Sequence, residues 1–204
     1  MSIESTSVLT NGHNNAVMTG ATRAKIVAFA GGLFLLEWYL YFRHARHFFQ
    51  ADSIFLLDHR AKSAMDFFQA FITLNPSGWY RPLAFSPVVS ILYPFVGLNP
   101  IGYRMPVYAA FMAVTLAVFV LTFELTRRHL VAAVATTFFG IHMVNAYTTY
   151  DVTFMPELLY ALFYISSALA FVRYIRNGTR SSLIVSAGCF VAGLLSKEST
   201  MTCK

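Results

Sequence analysis

Met105–Phe123 reads MPVYAAFMAVTLAVFVLTF, nineteen residues without a charge. At a helical rise of 1.5 Å per residue this run extends about 28 Å, close to the hydrocarbon thickness of a bilayer. Hydrocarbon offers backbone groups no partner outside their own segment, so a chain built around such a run is expected to be helical. Composition agrees. Of 204 residues, 57% are hydrophobic and 12% charged, and the mean hydropathy is +0.57. A soluble domain carries about a quarter of its residues as charges, so soluble enzyme classes are excluded. The net charge is +6, but the basic residues sit beside apolar runs, where they meet lipid headgroups. Nucleic acid is therefore not an expected partner. With only Cys189 and Cys203 present, neither a disulfide framework nor a CxxC metal pattern is available.

Outward from this run, further apolar segments occupy Ile26–Phe42, Leu130–Tyr150, Val152–Val172 and the shorter Ser182–Leu195. The expected fold is all-α, a polytopic transmembrane helical bundle of about five spans with interfacial helices in the first outer loop. Residues 1–25 read as a disordered tail, rich in Ser, Thr, Asn and Gly and lacking the basic n-region and apolar h-region of a cleaved signal. Residues 26–204 read as a transmembrane domain, and the ending just past an apolar run reads as the front part of a longer polytopic protein.

Between the first two spans the chain is too polar to cross and too apolar to be a free loop. Ala64, Met65, Phe68, Phe71 and Ile72 recur at three- and four-residue spacing, predicting an amphipathic helix within Ala61–Leu74 that ends at Asn75–Gly78. Leu83–Gly97 is apolar but short, and Pro82, Pro87 and Pro94 favour a re-entrant or interfacial helix over a span. Arg127 and Arg128 in one short connection, and three arginines in Arg173–Arg180, mark the cytoplasmic turns. The connection Asn145–Thr153 carries no Lys or Arg, so with five spans it and the segment 43–104 lie outside. If 83–97 crossed instead, the five basic residues from Arg43 to Arg81 would move inside, and charge counting leaves both arrangements open.

Soluble-enzyme motifs are absent, and the candidates for chemistry are polar residues at the membrane edge. His44 and His47 have helical spacing for a metal pair but sit among Arg43 and Arg46, and read as a basic collar. Glu37 is a carboxylate within a span, either functional or near enough to the span's end to reach headgroups or pair with Arg43. Asp52 follows the aromatic edge of the first span, which suits either a general base or the N-cap of the following run. Arg81, in Trp79-Tyr80-Arg81-Pro82-Leu83, holds a planar phosphate-binding fork between interfacial aromatics, or snorkels as an ordinary anchor. Asp151, Glu157, Lys197 and Glu198 flank spans on the same side, and with Asp52 and Arg81 they would form one outer cluster of acids and bases. Each alone also fits a local helix-end ion pair.

The order of these parts carries a resemblance: an acid soon after the first span, then WYRPL, Phe95-Val96-Gly97-Leu98-Asn99-Pro100-Ile101-Gly102-Tyr103-Arg104, a long span, an arginine turn, and Ser196-Lys197-Glu198-Ser199. It resembles the N-terminal half of GT-C glycosyltransferases, among them the bacterial relatives of protein O-mannosyltransferases, the lipid A aminoarabinose transferase and the tetratricopeptide-bearing O-mannosyltransferases. The resemblance implies a multi-pass membrane enzyme, bacterial inner membrane rather than endoplasmic reticulum, moving a sugar from a polyprenyl-phosphate carrier to an extracytoplasmic acceptor. It implies Asp52 as the catalytic acid of the first outer loop, with Ser53 where members often carry a second acid. It implies Arg81 and Lys197 as contacts to the carrier phosphate, although the aminoarabinose transferases have Glu-Lys-Pro-Pro where this chain has Tyr80-Arg81-Pro82-Leu83. Asp151 or Glu157 would be the later supporting acid, and Lys197 with Glu198 match the closing Lys-Glu. No particular cofactor is implied, and a divalent metal stays open with few evident ligands. The competing reading is a noncatalytic membrane subunit or transporter fragment in which the same acids and arginines are structural ion pairs.

Overall fold

A computed structural model describes residues 20–42, 49, 51–73, 80–84 and 86–197, which are all-helical with connecting turns and without strands. The helices are α1 (Gly20–Tyr41), α2 (Ala51–Asp58), α3 (Ala64–Gln69), α4 (Ser86–Val96), α5 (Pro100–Thr126), α6 (His129–Ile141), α7 (Val144–Tyr150), α8 (Met155–Asn177) and α9 (Arg180–Ser196), with a 3-10 turn at Val152–Phe154. The tail to residue 19, the His44 and His47 collar, Asn75–Gly78, Trp79 and Glu198 lie outside the described residues.

Three helical segments are long and apolar enough to cross a membrane: Ala24–Tyr41, Pro100–Thr126 and Val152–Asn177. The second contains the run that reads most clearly in the sequence. It starts where Asn99 caps it, the side-chain oxygen accepting from Ile101 N at 3.1 Å with Pro100 next, and ends at Arg127, whose φ of 56° stops the helix. The expected uninterrupted helix over Leu130–Tyr150 is broken: α6 and α7 meet at a bend of 62°. At that break His142 is extended, and the freed carbonyls take side-chain donors: Tyr41 hydroxyl donates to Gly140 O at 2.7 Å, and Asn145 Nδ2 donates to Phe139 O. A break at membrane depth requires such partners. α9, at 17 residues, is shorter than a full span. It pairs with α8, locked by Ser167 Oγ donating to Ser186 O at 2.8 Å and Ser186 Oγ returning to Ser167 O at 2.9 Å.

α4 stays helical through Pro94 and spans 11 residues, about 16 Å, too short to cross. The amphipathic reading of 61–74 holds only for α3, six residues begun by a capping box between Ser63 and Asp66 and followed by turns to Thr73. Its Met65 and Phe68, with Ile72 beyond, are exposed.

The bundle has two distinct ends. At one, Glu124 on α5 gathers Arg127 at 2.8 Å, Arg176 at 3.0 Å and Arg173 at 3.6 Å, tying the α5–α6 turn to the end of α8. At the other, the start of α5, the α7–α8 junction and the end of α9 come together, and α2 is pinned beneath them. Leu56 and Leu57 of α2 are buried with Val89, Tyr103, Val107, Phe111, Val152, Met155 and Leu158 in one core cluster. α4 abuts the start of α5 so closely that a Cβ on Gly102 would come within 2.5 Å of the Val96 side chain.

Candidate functional site

α2 decides which polar atoms enter the site. Ser53, Leu56 and Leu57 fall on its buried stripe at three- and four-residue spacing, so Asp52 is turned to the exposed face. Neither residue is the helix N-cap, because α2 already begins at Ala51; Asp52 sits in the first turn, where the helix dipole favours a carboxylate.

Ser53 is fully buried, and its hydroxyl donates to Asp151 Oδ2. Asp151, 3% exposed, uses Oδ1 to accept from Thr153 N at 2.9 Å and from Thr153 Oγ1 at 3.1 Å, which caps the 3-10 turn. Arg104, in the second turn of α5 and 4% exposed, lies with its guanidinium 5.1 Å from the Tyr150 ring centre, and its charge reaches Asp151. A buried carboxylate thus sits between a hydroxyl, a backbone N–H and a nearby guanidinium, the surroundings a buried charge requires.

Beside this group, Lys197 Nζ pairs with Glu157 Oε1 at 3.0 Å, joining the end of α9 to the first turn of α8. Glu157 Oε2 is buried and has no hydrogen-bond partner among the described residues. Leu83 N donates to Leu195 O at 3.3 Å, so half-buried Arg81 enters beside the same end of α9. Arg60 has a structural role, closing the end of α2 through Leu57 O at 2.7 Å with its guanidinium 3.8 Å from the Tyr93 ring centre.

Asp52, Arg81, Asp151, Glu157 and Lys197 therefore lie at one end of the bundle, Glu198 being outside the described residues. Asp151 and Glu157, which spacing leaves as alternatives, take different places: the first is buried against Ser53, the second pairs with Lys197. Sequence reasoning passes over Ser53, Arg104 and Tyr150. Arg104 carries a usable signal, since a charge one turn inside an apolar helix demands a partner. Ser53 does not, because a serine hydroxyl is at home in many settings. Among the described residues no three His, Cys, Asp or Glu side chains gather as metal ligands.

Glu37 stands apart. It is fully buried inside the bundle and faces Thr115 of α5 and Gly140 of α6, while Arg43, the pairing partner that its place near the end of the span suggests, lies outside the described residues. No protein-family model, no curated protein and no solved structure matches this chain.

Proposed function

We propose that the protein is a GT-C-type membrane glycosyltransferase domain with five spans, acting at headgroup depth on a sugar carried by a polyprenyl phosphate. One observation carries this reading: acids and bases from α2, α5, α8, α9 and the Arg81 segment gather at a single end of an apolar bundle. A polyprenyl tail stays in the bilayer, so its C1 to phosphate bond sits at that depth. Asp52 faces outward on a helix fixed by Leu56 and Leu57, and serves as the base that takes the acceptor's proton. Arg81, with Lys197, offsets the charge that builds on the leaving phosphate. Asp151 acts through Ser53: it holds the first turn of α2, and with it the Asp52 carboxylate, in place.

The test is sugar transfer by the whole protein in proteoliposomes supplied with a polyprenyl-phosphate sugar, followed by release of polyprenyl phosphate. Asp52→Asn should lower turnover by about 10²-fold or more at unchanged abundance. Arg81→Ala should lower it by a similar factor. Wild-type turnover in Asp52→Asn overturns the assignment.

A second reading, a noncatalytic membrane subunit, draws on the pairing of Lys197 with Glu157 and of Ser53 with Asp151, both of which join elements distant in sequence. It predicts that Asp52→Asn, which touches neither pair, leaves every property intact, and that Lys197→Ala lowers abundance.

A further inference from the structure

Glu37 lies one turn before the end of α1, yet it is placed deep in the bundle, because α1 runs antiparallel to α5. Its neighbour Thr115 is in the middle of the 27-residue α5. Neither carboxylate oxygen has a hydrogen-bond partner among the described residues, and neither does Thr115 Oγ1, although the two groups face each other. On the other side is Gly140, the last turn of α6 before the bend, where an added Cβ would collide with Glu37 Oε1. The carboxyl thus occupies a cradle that only glycine leaves open.

The groups facing it from each packed element are few. α1 contributes Tyr41 and Leu33, α5 contributes Tyr108 and Thr115, and α6 contributes Gly140 with Thr136 nearby. Tyr41 and Tyr108 are the titratable ones, and both hydroxyls already donate to backbone carbonyls, Gly140 O and Phe34 O. No cation faces Glu37 from the described residues. An ionised carboxylate that faces only the Thr115 hydroxyl, with no counter-charge among the described residues, is costly in a low-dielectric interior. A carboxylic acid avoids that cost, and its O–H and the Thr115 hydroxyl can share one hydrogen bond.

We propose that Glu37 is a proton-binding site inside the membrane, and that the bound proton holds α1 against α6 at the α6–α7 bend. Loss of the proton leaves a charge in the Gly140 cradle. The carboxylate must then withdraw toward water or draw water in, and either movement disturbs Tyr41, which sits one turn away and bridges Gly140 O and His142 O. A shallow groove between α1, α5 and α6, lined by Leu33, Phe34, Thr115, Phe119 and Thr136 among others, opens beside the site. This inference is independent of the transferase reading.

The test uses the whole protein in sodium-free liposomes, with three measurements. Infrared difference spectra between acidic and alkaline buffer should show the carbonyl stretch of a protonated carboxyl, shifted in D2O and missing in Glu37→Gln. A hydrophobic carbodiimide should label Glu37 in wild type, located by peptide mass spectrometry, at a rate falling about tenfold per pH unit above the midpoint. Trp38, stacked on Phe42 and edge-on to Tyr108, is a built-in reporter of α1. In a Trp79→Phe background its emission should change over the same pH range, and the change should vanish with Glu37→Gln. The proposal is overturned if Glu37 stays unlabelled at every pH tested, or if sodium ions alone block labelling. It is equally overturned if Trp38 emission is independent of pH. Labelling is read on wild type, so the test survives a Glu37→Gln variant that fails to accumulate.

Discussion

Ser53→Ala should destabilise the protein by about 2 kcal/mol, although it removes a single oxygen from an eight-residue helix. Ser53 has no exposed surface and Asp151 only 3%, so water cannot replace the lost donor without opening the seam between α2 and the 3-10 turn. The hydrogen bond joins a hydroxyl to a carboxylate, and bonds of this charge-assisted kind contribute about 1.5–3 kcal/mol. The methyl of alanine fills most of the space, which leaves the lost bond as the main term. The remaining partners of Asp151, Thr153 N and Thr153 Oγ1, bind the other oxygen and cannot move to Oδ2 without uncapping the turn. Reversible unfolding in mixed micelles, run as a double-mutant cycle with Asp151→Ala, would measure the effect. Asp151→Ala alone should cost more, about 3–5 kcal/mol, because it also strips the cap and the carboxylate facing Arg104. The coupling between the two sites should be about 1.5 kcal/mol. A Ser53→Ala change within 0.5 kcal/mol of wild type, or strict additivity in the cycle, would refute the claim that this bond anchors α2.

Three further outcomes follow from other parts of the bundle. Gly140→Ala should cost about 1–3 kcal/mol in the same unfolding assay, because its Cβ enters the space of the Glu37 carboxyl, and Glu37→Ala in the same chain should recover most of the loss. Absence of that recovery would mean the cradle is not what Gly140 serves. Tyr41→Phe combined with Asn145→Ala should raise amide hydrogen exchange selectively around residues 139–144, since both donors to the carbonyls of the break are removed; uniform exchange along α6 would count against that role. Glu124→Gln should cost about 1 kcal/mol at low salt and less at high salt, because Arg127, Arg173 and Arg176 would be left as partly exposed like charges.

The sequence is informative wherever one residue's environment is set by its own neighbours. The charge-free run Met105–Phe123 marks a span because nothing in it tolerates water, and Asn99-Pro100 marks its start because cap and N1 preferences are local. The bend at His142 is not marked, since neither proline nor glycine occupies 142 or 143. The break is held by Tyr41, which lies 99 residues from Gly140. The depth of Glu37 is hidden for a similar reason: its distance from the end of α1 suggests headgroups, whereas the offset between α1 and a longer α5 decides the matter. Asp52-Ser53 shows the limit at the site. In the sequence Ser53 reads as a lost second acid, but in the fold it points at Asp151, and a carboxylate there would meet another carboxylate in a buried space. The serine suits a chain that carries its buried acid at 151.

α1 differs from the other long helices in how it is held, and this bears on Glu37. Only 11% of its apolar window is buried, against 33% for α5, so packing contributes little to its position. Burial would hold it weakly in any case, because lipid chains solvate leucine as well as a neighbouring helix does. Its polar attachments among the described residues include the Tyr41 hydroxyl donating to Gly140 O and His142 O, and Phe34 O accepting from the Tyr108 hydroxyl, all hydrogen bonds to backbone carbonyls. Such bonds keep their strength only while water is absent. The Glu37 carboxyl sits between these two attachments along α1, so any charge or water admitted there weakens both together.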